Sequence, residues 1–520
     1  MGCIMNKSRT QSLFRNTSVG LFAFVVQLII TFVSRVVFIR SLGIEYLGIN
    51  DLYTNIISLL CLADMGIETV FMYSLYKPIS ESNYAAINSM IGIIKRFYHI
   101  IAVVILIIGL ILIPFLPFII GKSNLDNTKL IIYYLFFLSN CVLSYLLIYR
   151  SALLQADQNV HIVKGIKAIS QLIFGIIQII LITIFKSYCS YLIAMILGTL
   201  FNNITLNYIA RKKYNYLSDY SAVNDNSDFK SELSKNTKSV FVYKIGTTII
   251  NSTDNIFISA ILGASMVGFY SNYHTIILAI TSIIGILNSS LVPGVGNYLA
   301  SVKDSRSRSI LFNTLIMIYF ILATIFSGSF VLCSNKIITI WVGGDYVLND
   351  VSVLAITVSF YFQCIAHPIW IFRETAGLFD AVRPAIISMA IMNVLFSLVG
   401  GIFWGIAGII GATTLSRLLS LFWYEPKLLN KSLFESSHNN YWGKWFKYFS
   451  TSFITMFLLY IVLNKEMNTL LGLIIKVLIT AVVTIILFYI TNRNSDEFAF
   501  LHSKTKNYLR KGKNTNSIGE

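Results

Sequence analysis

Two stretches, LGIEYLGINDLYTNII from Leu42 to Ile57 and LGASMVGFYSNYHTII from Leu262 to Ile277, decide how this 520-residue chain is built. They match at Gly43 and Gly263, at Gly48 and Gly268, at Tyr53 and Tyr273, and at Ile56 and Ile57 with Ile276 and Ile277. Each follows an apolar run of membrane-spanning length, so each reads as a tight outer turn between two hydrophobic helices. Arg150 and Asp157, after the fourth apolar run, are echoed by Arg373 and Asp380 after the tenth. Two motifs in register mark an internal repeat. Six runs separate the members of each pair, so the copies share one orientation, the parallel type related by an axis along the membrane normal.

Composition agrees with a lipid solvent. Hydrophobic residues make up 56% of the chain and charged residues only 12%, about half the charge of an ordinary soluble domain. A hydrocarbon core about 30 Å thick needs roughly 20 apolar residues as helix, because only internally bonded helices or closed barrels cross it. That ruler places fourteen spans near residues 19–41, 49–72, 98–120, 130–149, 168–185, 188–209, 239–262, 269–292, 310–333, 351–372, 384–403, 405–424, 446–464 and 468–491. The first run is too long for a removable signal and stays as an anchor.

The formal charge of +17 tests this count, because Lys and Arg collect on cytoplasmic loops. Lys7, Arg9 and Arg15 precede span 1. Lys95 and Arg96, Lys164 and Lys167, Arg211 to Lys213, Lys303 to Arg308, Arg373 and Arg383, Lys427 to Lys447, and the tail from Lys504 to Lys513 all fall on that same side. The opposite loops hold few: Arg40, Lys122, Lys129, Lys186, Lys336 and Lys465. Both termini are therefore expected in the cytoplasm, and topology accounts for a basic balance that would otherwise suggest nucleic acid. The expected architecture is an all-α polytopic membrane protein of about fourteen helices. A first lobe spans residues 1–210, a cytoplasmic linker 211–238, a second lobe 239–425, a hairpin of spans 13 and 14 residues 426–491, and a basic cytoplasmic tail 492–520.

Ionisable groups inside spans cost a few kcal/mol each and face a cavity or a partner. In span 1, Gln27, Thr31, Ser34 and Arg35 share one helical face; in span 2, Thr54, Ser58, Asp64 and Glu68 nearly do. Span 7 offers Lys244, Thr247, Asn251, Asp254 and Asn255, and span 12 Thr413, Ser416, Arg417 and Ser420. The repeat aligns Arg35 with Asn255 and Ser34 with Asp254, which puts Arg35 and Asp254 at similar depth. Arg35, Arg417 and Lys244 read as grips for an anionic headgroup, and Asp64, Glu68 and Asp254 as cavity carboxylates able to take a proton or sodium ion. Lys244, Glu68 and Lys476 sit near span ends, where a long side chain can instead snorkel to the headgroups. Arg150 with Asp157, and Arg373 with Asp380, lie at cytoplasmic ends as loop-fixing pairs or gate latches. The six Cys have no paired spacing, the six His no metal-ligand spacing, and no phosphate-binding glycine motif is present, so neither a metal nor a nucleotide is expected.

The basic segment before span 1, SLGIEYLGINDLYTNIISLLCLADMGIETV from Ser41 to Val70, its echo at Leu262, the Arg150 to Asp157 segment and GIAGIIGATTLSRLLSLFWYEP from Gly405 to Pro426 together resemble one group. The chain is similar to Wzx-type polysaccharide flippases of the multidrug/oligosaccharidyl-lipid/polysaccharide exporter superfamily. The resemblance implies two six-span lobes around a cavity that opens alternately to each face, and no enzymatic activity or cofactor beyond a coupling H+ or Na+. It implies a cargo, an oligosaccharide repeat unit on undecaprenyl diphosphate, flipped across a bacterial cytoplasmic membrane for capsule, exopolysaccharide or O-antigen assembly. A polysaccharide polymerase and its chain-length machinery would then be partners, and spans 13 and 14 a groove for the lipid tail. A lipid II flippase and a drug or cation antiporter are the alternatives within the superfamily. A membrane-embedded polymerase or acyltransferase is the alternative outside it.

Overall fold

The computed structural model describes residue 20 and residues 24–61, 67–217, 245–250, 252–434, 440–463 and 469–504. Among them every regular element is a helix. By internal contacts the chain divides into two compact units, residues 1–271 and 272–520.

The first unit holds α1 (Phe24–Leu42), α2 (Ile44–Leu60), α3 (Ile67–Ser80), α4 (Tyr84–Leu112), α5 (Leu116–Ile120), α6 (Asn127–Leu147), α7 (Ser151–Ala156), α8 (Val160–Phe185) and α9 (Tyr188–Lys213). It also holds α10 (252–262) and the first turns of α11 (Ala264–Ser301). In the second unit, the rest of α11 leads to α12 (Ser305–Trp341), α13 (Asp350–Thr375), α14 (Phe379–Leu419), α15 (Leu421–Leu433), α16 (Tyr441–Leu463) and α17 (Leu470–Asn492). Polar loop residues start several of these helices by accepting a backbone N–H of the first turn: Asn83 for α4, Asp304 for α12, Asn349 for α13 and Thr469 for α17. Each cap satisfies a donor the helix cannot satisfy itself.

The described residues contain eleven helical runs long and apolar enough to cross a bilayer. Large apolar side chains stand open on their outer faces, among them Phe118, Phe403, Trp404 and Leu471, as a hydrocarbon solvent requires. One run, Phe379–Leu433, contains a helical hairpin within α14. At Gly405 the backbone turns to φ 58, ψ −136, a conformation open to glycine at little cost. Beyond it the chain doubles back: Asn393 Nδ2 donates to Thr413 Oγ1 at 2.8 Å, although 20 residues of straight helix would hold them about 30 Å apart. A Cβ on Gly400 would lie 2.6 Å from the carbonyl oxygen of Gly408, so the two arms touch backbone to backbone. The GIAGIIG pattern thus serves as turn and packing seam together. The expected total of fourteen is not confirmed, because the second and seventh expected spans fall partly outside the described residues.

The repeat is structural. Gly43 and Gly263 take φ 93 and φ 98, and each donates its N–H to the carbonyl four residues back, at 2.9 and 2.8 Å, closing one helix before the next begins. Tyr53 and Tyr273 are both fully buried. Tyr53 donates its hydroxyl to Leu130 O near the start of α6 (2.8 Å), and the Tyr273 hydroxyl accepts from Leu348 N just before α13 (3.0 Å). Gly48 and Gly268 are where the two copies meet. A Cβ on Gly268 would lie 2.5 Å from Ile44 O, and one on Gly48 would run into Ala264 O.

In the second unit α16 and α17 pack against α12 through a seam of small hydroxyl side chains. Thr324 donates to Ser452 at 2.7 Å, Thr480 lies against Gly328, and Thr480 and Thr484 return their hydroxyls to their own helix. Small and internally bonded side chains let membrane helices approach closely without stranding a donor. Cys61 and Cys141, which the spacing did not pair, bring their thiols to 3.2 Å.

Candidate functional site

Arg35 lies on α1 eight residues before Gly43, and Asp51 lies on α2 eight residues after it. A helical hairpin with its turn at Gly43 therefore sets both about 12 Å from that turn. They form an ion pair at 2.7 Å, with Arg35 9% and Asp51 21% exposed. The second copy follows the same arithmetic, since Ser271 stands eight residues after Gly263 and Asn255 eight before. Arg35 also hydrogen-bonds Ser271. One guanidinium is thus held by equivalent positions of both copies, one turn beyond the Gly48–Gly268 crossing. Asn255, the counterpart of Arg35, is buried with an Oδ1 that has no partner among the described residues.

Arg35 and Asp51 open onto a cavity of about 790 Å3 inside the first unit, walled by α1, α2, α6, α8 and α9. The polar stripe of α1 faces it along its whole length, from Gln27 through Thr31 and Ser34 to Arg35. Opposite, α8 presents Lys164, Lys167, Gln171 and Gln178 at helical spacing, and α9 presents Thr199, Asn202 and Asn203. Asn202 donates to Asn203 at 2.9 Å, Asn203 to Ser144 O at 3.4 Å, and Tyr188 to Asn50 at 3.2 Å. The Oδ1 of Asn202 is buried without a partner among the described residues. The cavity is therefore rich in amides and hydroxyls. Among the described residues it holds three cations, Arg35, Lys164 and Lys167, against one carboxylate, Asp51, a balance that suits a hydroxylated, anionic ligand.

A second cluster lies in the second unit. Arg373 of α13 and Glu425 of α15 form an ion pair, each only 3% exposed. Beside them the Arg417 guanidinium stands 6.0 Å from the Trp370 ring centroid, within cation–π range. Trp370, Arg417, Glu425 and Tyr441 line a small cavity of about 30 Å3. His367, ring to ring with Trp370, places its Nδ1 2.8 Å from Asn288 Nδ2, and Asn288 accepts from Tyr319. The remaining stripe of span 12 is used internally: Thr413 is bonded to Asn393, while Ser416 and Ser420 return their hydroxyls to their own helix.

The other expected site residues are distributed as follows. Asp254 is half-buried on α10, within electrostatic reach of Tyr270. Asp64 and Lys244 lie outside the described residues, as does the side chain of Glu68. At the expected cytoplasmic ends, Asp157 accepts from the Tyr214 hydroxyl at 2.7 Å and pairs with Lys213 at 3.3 Å. Arg150 is buried with its guanidinium 5.2 Å from the Tyr149 ring, and Asp380 pairs with Arg383. Sequence reasoning missed Asp51 and Glu425. Asp51 carried a usable signal in its symmetric distance from Gly43. Glu425 carried none, because its partner is 52 residues away.

The sequence profile of the family described as polysaccharide biosynthesis protein matches residues 13–299. No curated protein matches the chain. Among solved structures, lipid II flippase MurJ in an inward-closed conformation is similar with a TM-score of 0.68 at 16% identity, over 92% of this chain and 99% of that one. A multidrug resistance MATE family transporter of the MOP superfamily is similar in its inward-facing form with a TM-score of 0.61 at 13% identity, over 80% of this chain and 99% of that one. Its outward-facing form gives a TM-score of 0.55 at 12% identity, over 81% and 96%. At these identities the likeness establishes the fold alone, the one these membrane transporters share. With more than half of its length matched by the profile, this multi-pass membrane protein belongs to the polysaccharide biosynthesis protein family.

Proposed function

We propose that the chain is a flippase that carries a lipid-linked oligosaccharide across a bacterial cytoplasmic membrane for the assembly of a surface polysaccharide. The observation that carries this reading is the amide-lined, cation-bearing cavity sunk among the membrane helices of the first unit. A saccharide diphosphate cannot enter about 30 Å of hydrocarbon without polar partners. Arg35, Lys164 and Lys167 supply charge for phosphate oxygens, with Arg35 the one able to present a planar fork. The amides of α1, α8 and α9 suit sugar hydroxyls, which both donate and accept. Arg417 forms a second cationic position. Family membership and a flippase-type fold support the same reading.

In this account Asp51 and Asp254 are the described carboxylates placed to exchange an H+ or Na+ that couples transport to an ion gradient, and no other cofactor takes part. Both termini lie in the cytoplasm, and a membrane polymerase receives the cargo at the outer face.

The test is depletion of the protein in its own host, followed by extraction of lipid-linked saccharides. The expected result is loss of surface polymer, with the lipid-linked oligosaccharide accumulating where only reagents at the inner face reach it. Accumulation of the peptidoglycan precursor lipid II instead would reassign the cargo, and undiminished polymer would reject the reading.

A further inference from the structure

A groove of about 880 Å3 runs between α12, α13, α16 and α17 within the second unit, sharing Phe362 with the small cavity at Trp370 and Arg417. Its walls are mostly apolar, and Leu354, Phe453 and Phe457 stand open to the lipid side while lining it. Lys476 breaks that pattern. It lines the groove six residues into α17, about 9 Å along the helix, and is only 6% exposed. Snorkelling would carry the ammonium out to the headgroups, whereas the Lys476 side chain lines the groove and keeps little of its surface open. Among the described residues no carboxylate pairs with Lys476 and no hydrogen bond reaches it. Asp350, on the same groove, is exposed and accepts from Asn335 at 3.2 Å.

An uncompensated ammonium at this depth is strongly unfavourable, and an arriving anion removes the penalty. The walls determine what kind of anion fits. They are apolar and continuous with the lipid-facing surface, so the anion comes attached to an acyl chain. Among the described residues it meets two lysines, the buried Lys476 and the half-buried Lys336, and no arginine, which suits the compact charge of a phosphodiester. A diphosphate carries more charge and is gripped best by arginine forks. We propose that the groove is a binding site for an anionic glycerophospholipid. The phosphodiester sits on Lys476, an acyl chain lies along Phe453 and Phe457, and the glycerol headgroup reaches Asn335 and Thr339. Basic pockets between membrane helices recognise anionic headgroups in this way. The resemblance to flippases would give the groove to the cargo's own tail instead, a different occupant for the same surface.

The experiment uses the full-length protein in nanodiscs of equal phosphatidylglycerol and phosphatidylcholine, released into detergent, with retained lipids counted by native mass spectrometry. The expected result is retention of phosphatidylglycerol over phosphatidylcholine. Lys476→Met should lower that retention by roughly tenfold or more, the scale of one charge-assisted hydrogen bond, and Lys476→Arg should preserve it. Removing an unpaired buried charge should not unfold the chain; if the Met variant aggregates, Lys476→Gln gives the same readout. Equal retention of both lipids, undiminished phosphatidylglycerol in the variant, or displacement of phosphatidylglycerol by equimolar undecaprenyl diphosphate would each overturn the proposal. None of these readouts depends on flipping activity, so the outcome is separable from that of the flippase reading.

Discussion

Arg35 is held from two sides, by a carboxylate of its own copy of the repeat and by a hydroxyl of the other copy. A largely buried pair of this kind stabilises little over an apolar pair, but losing one partner is expensive. We therefore expect Asp51→Asn to lower stability by about 3 kcal/mol, toward the low end for buried pairs because Asp51 keeps a fifth of its surface open. Arg35→Gln together with Asp51→Asn should restore most of that loss, and thermal unfolding in detergent of both single variants and the double completes the cycle. Additive losses would show that the pair does not act as a unit. The glycines one turn away admit no such repair. Gly48→Ala and Gly268→Ala each push a Cβ into backbone rather than into a movable side chain. Each should cost about 1–3 kcal/mol or block folding, read as lost thermal stability or lost expression. At this scale the sequence showed Arg35 through its depth in an apolar run. It hid Asp51, because a carboxylate three residues after Gly48, at the very start of the expected second span, reads as part of the turn until the helix is known to begin at Ile44.

Among the elements, the α14 hairpin carries the sharpest expectation. With Asn393 and Thr413 hydrogen-bonded across its arms, Asn393→Cys with Thr413→Cys should form a disulfide on mild oxidation in membranes. A continuous helix would keep the two thiols about 30 Å apart and give none. Gly405→Ala should destabilise by about 1–3 kcal/mol, because a β-carbon is strained at a positive φ of this kind, and its melting temperature should fall accordingly. Hairpins, caps and repeat were legible because they are local: a ruler of about 20 residues and two glycine positions suffice. The buried partner of Arg373 and the groove at Lys476 were not. Both depend on which faces of distant helices meet, and apolar helices read nearly alike on every side.

At the scale of the molecule, the account rests on a polar layer and an amide-lined cavity inside membrane helices, an arrangement that burial in lipid disfavours unless something polar crosses there. The paired variant used for stability also separates holding the fold from moving the cargo. Arg35→Gln with Asp51→Asn keeps the layer neutral, yet it removes the cation nearest the repeat crossing. The most direct measurement reconstitutes wild type and this double variant at equal density in proteoliposomes containing a fluorescent undecaprenyl-diphosphate oligosaccharide, and follows its arrival at the far leaflet by a quencher that cannot cross. The account predicts rapid transfer by wild type and transfer no faster than protein-free vesicles by a double variant that is folded and inserted. Wild-type rates from that variant, or no transfer by wild type, would contradict it.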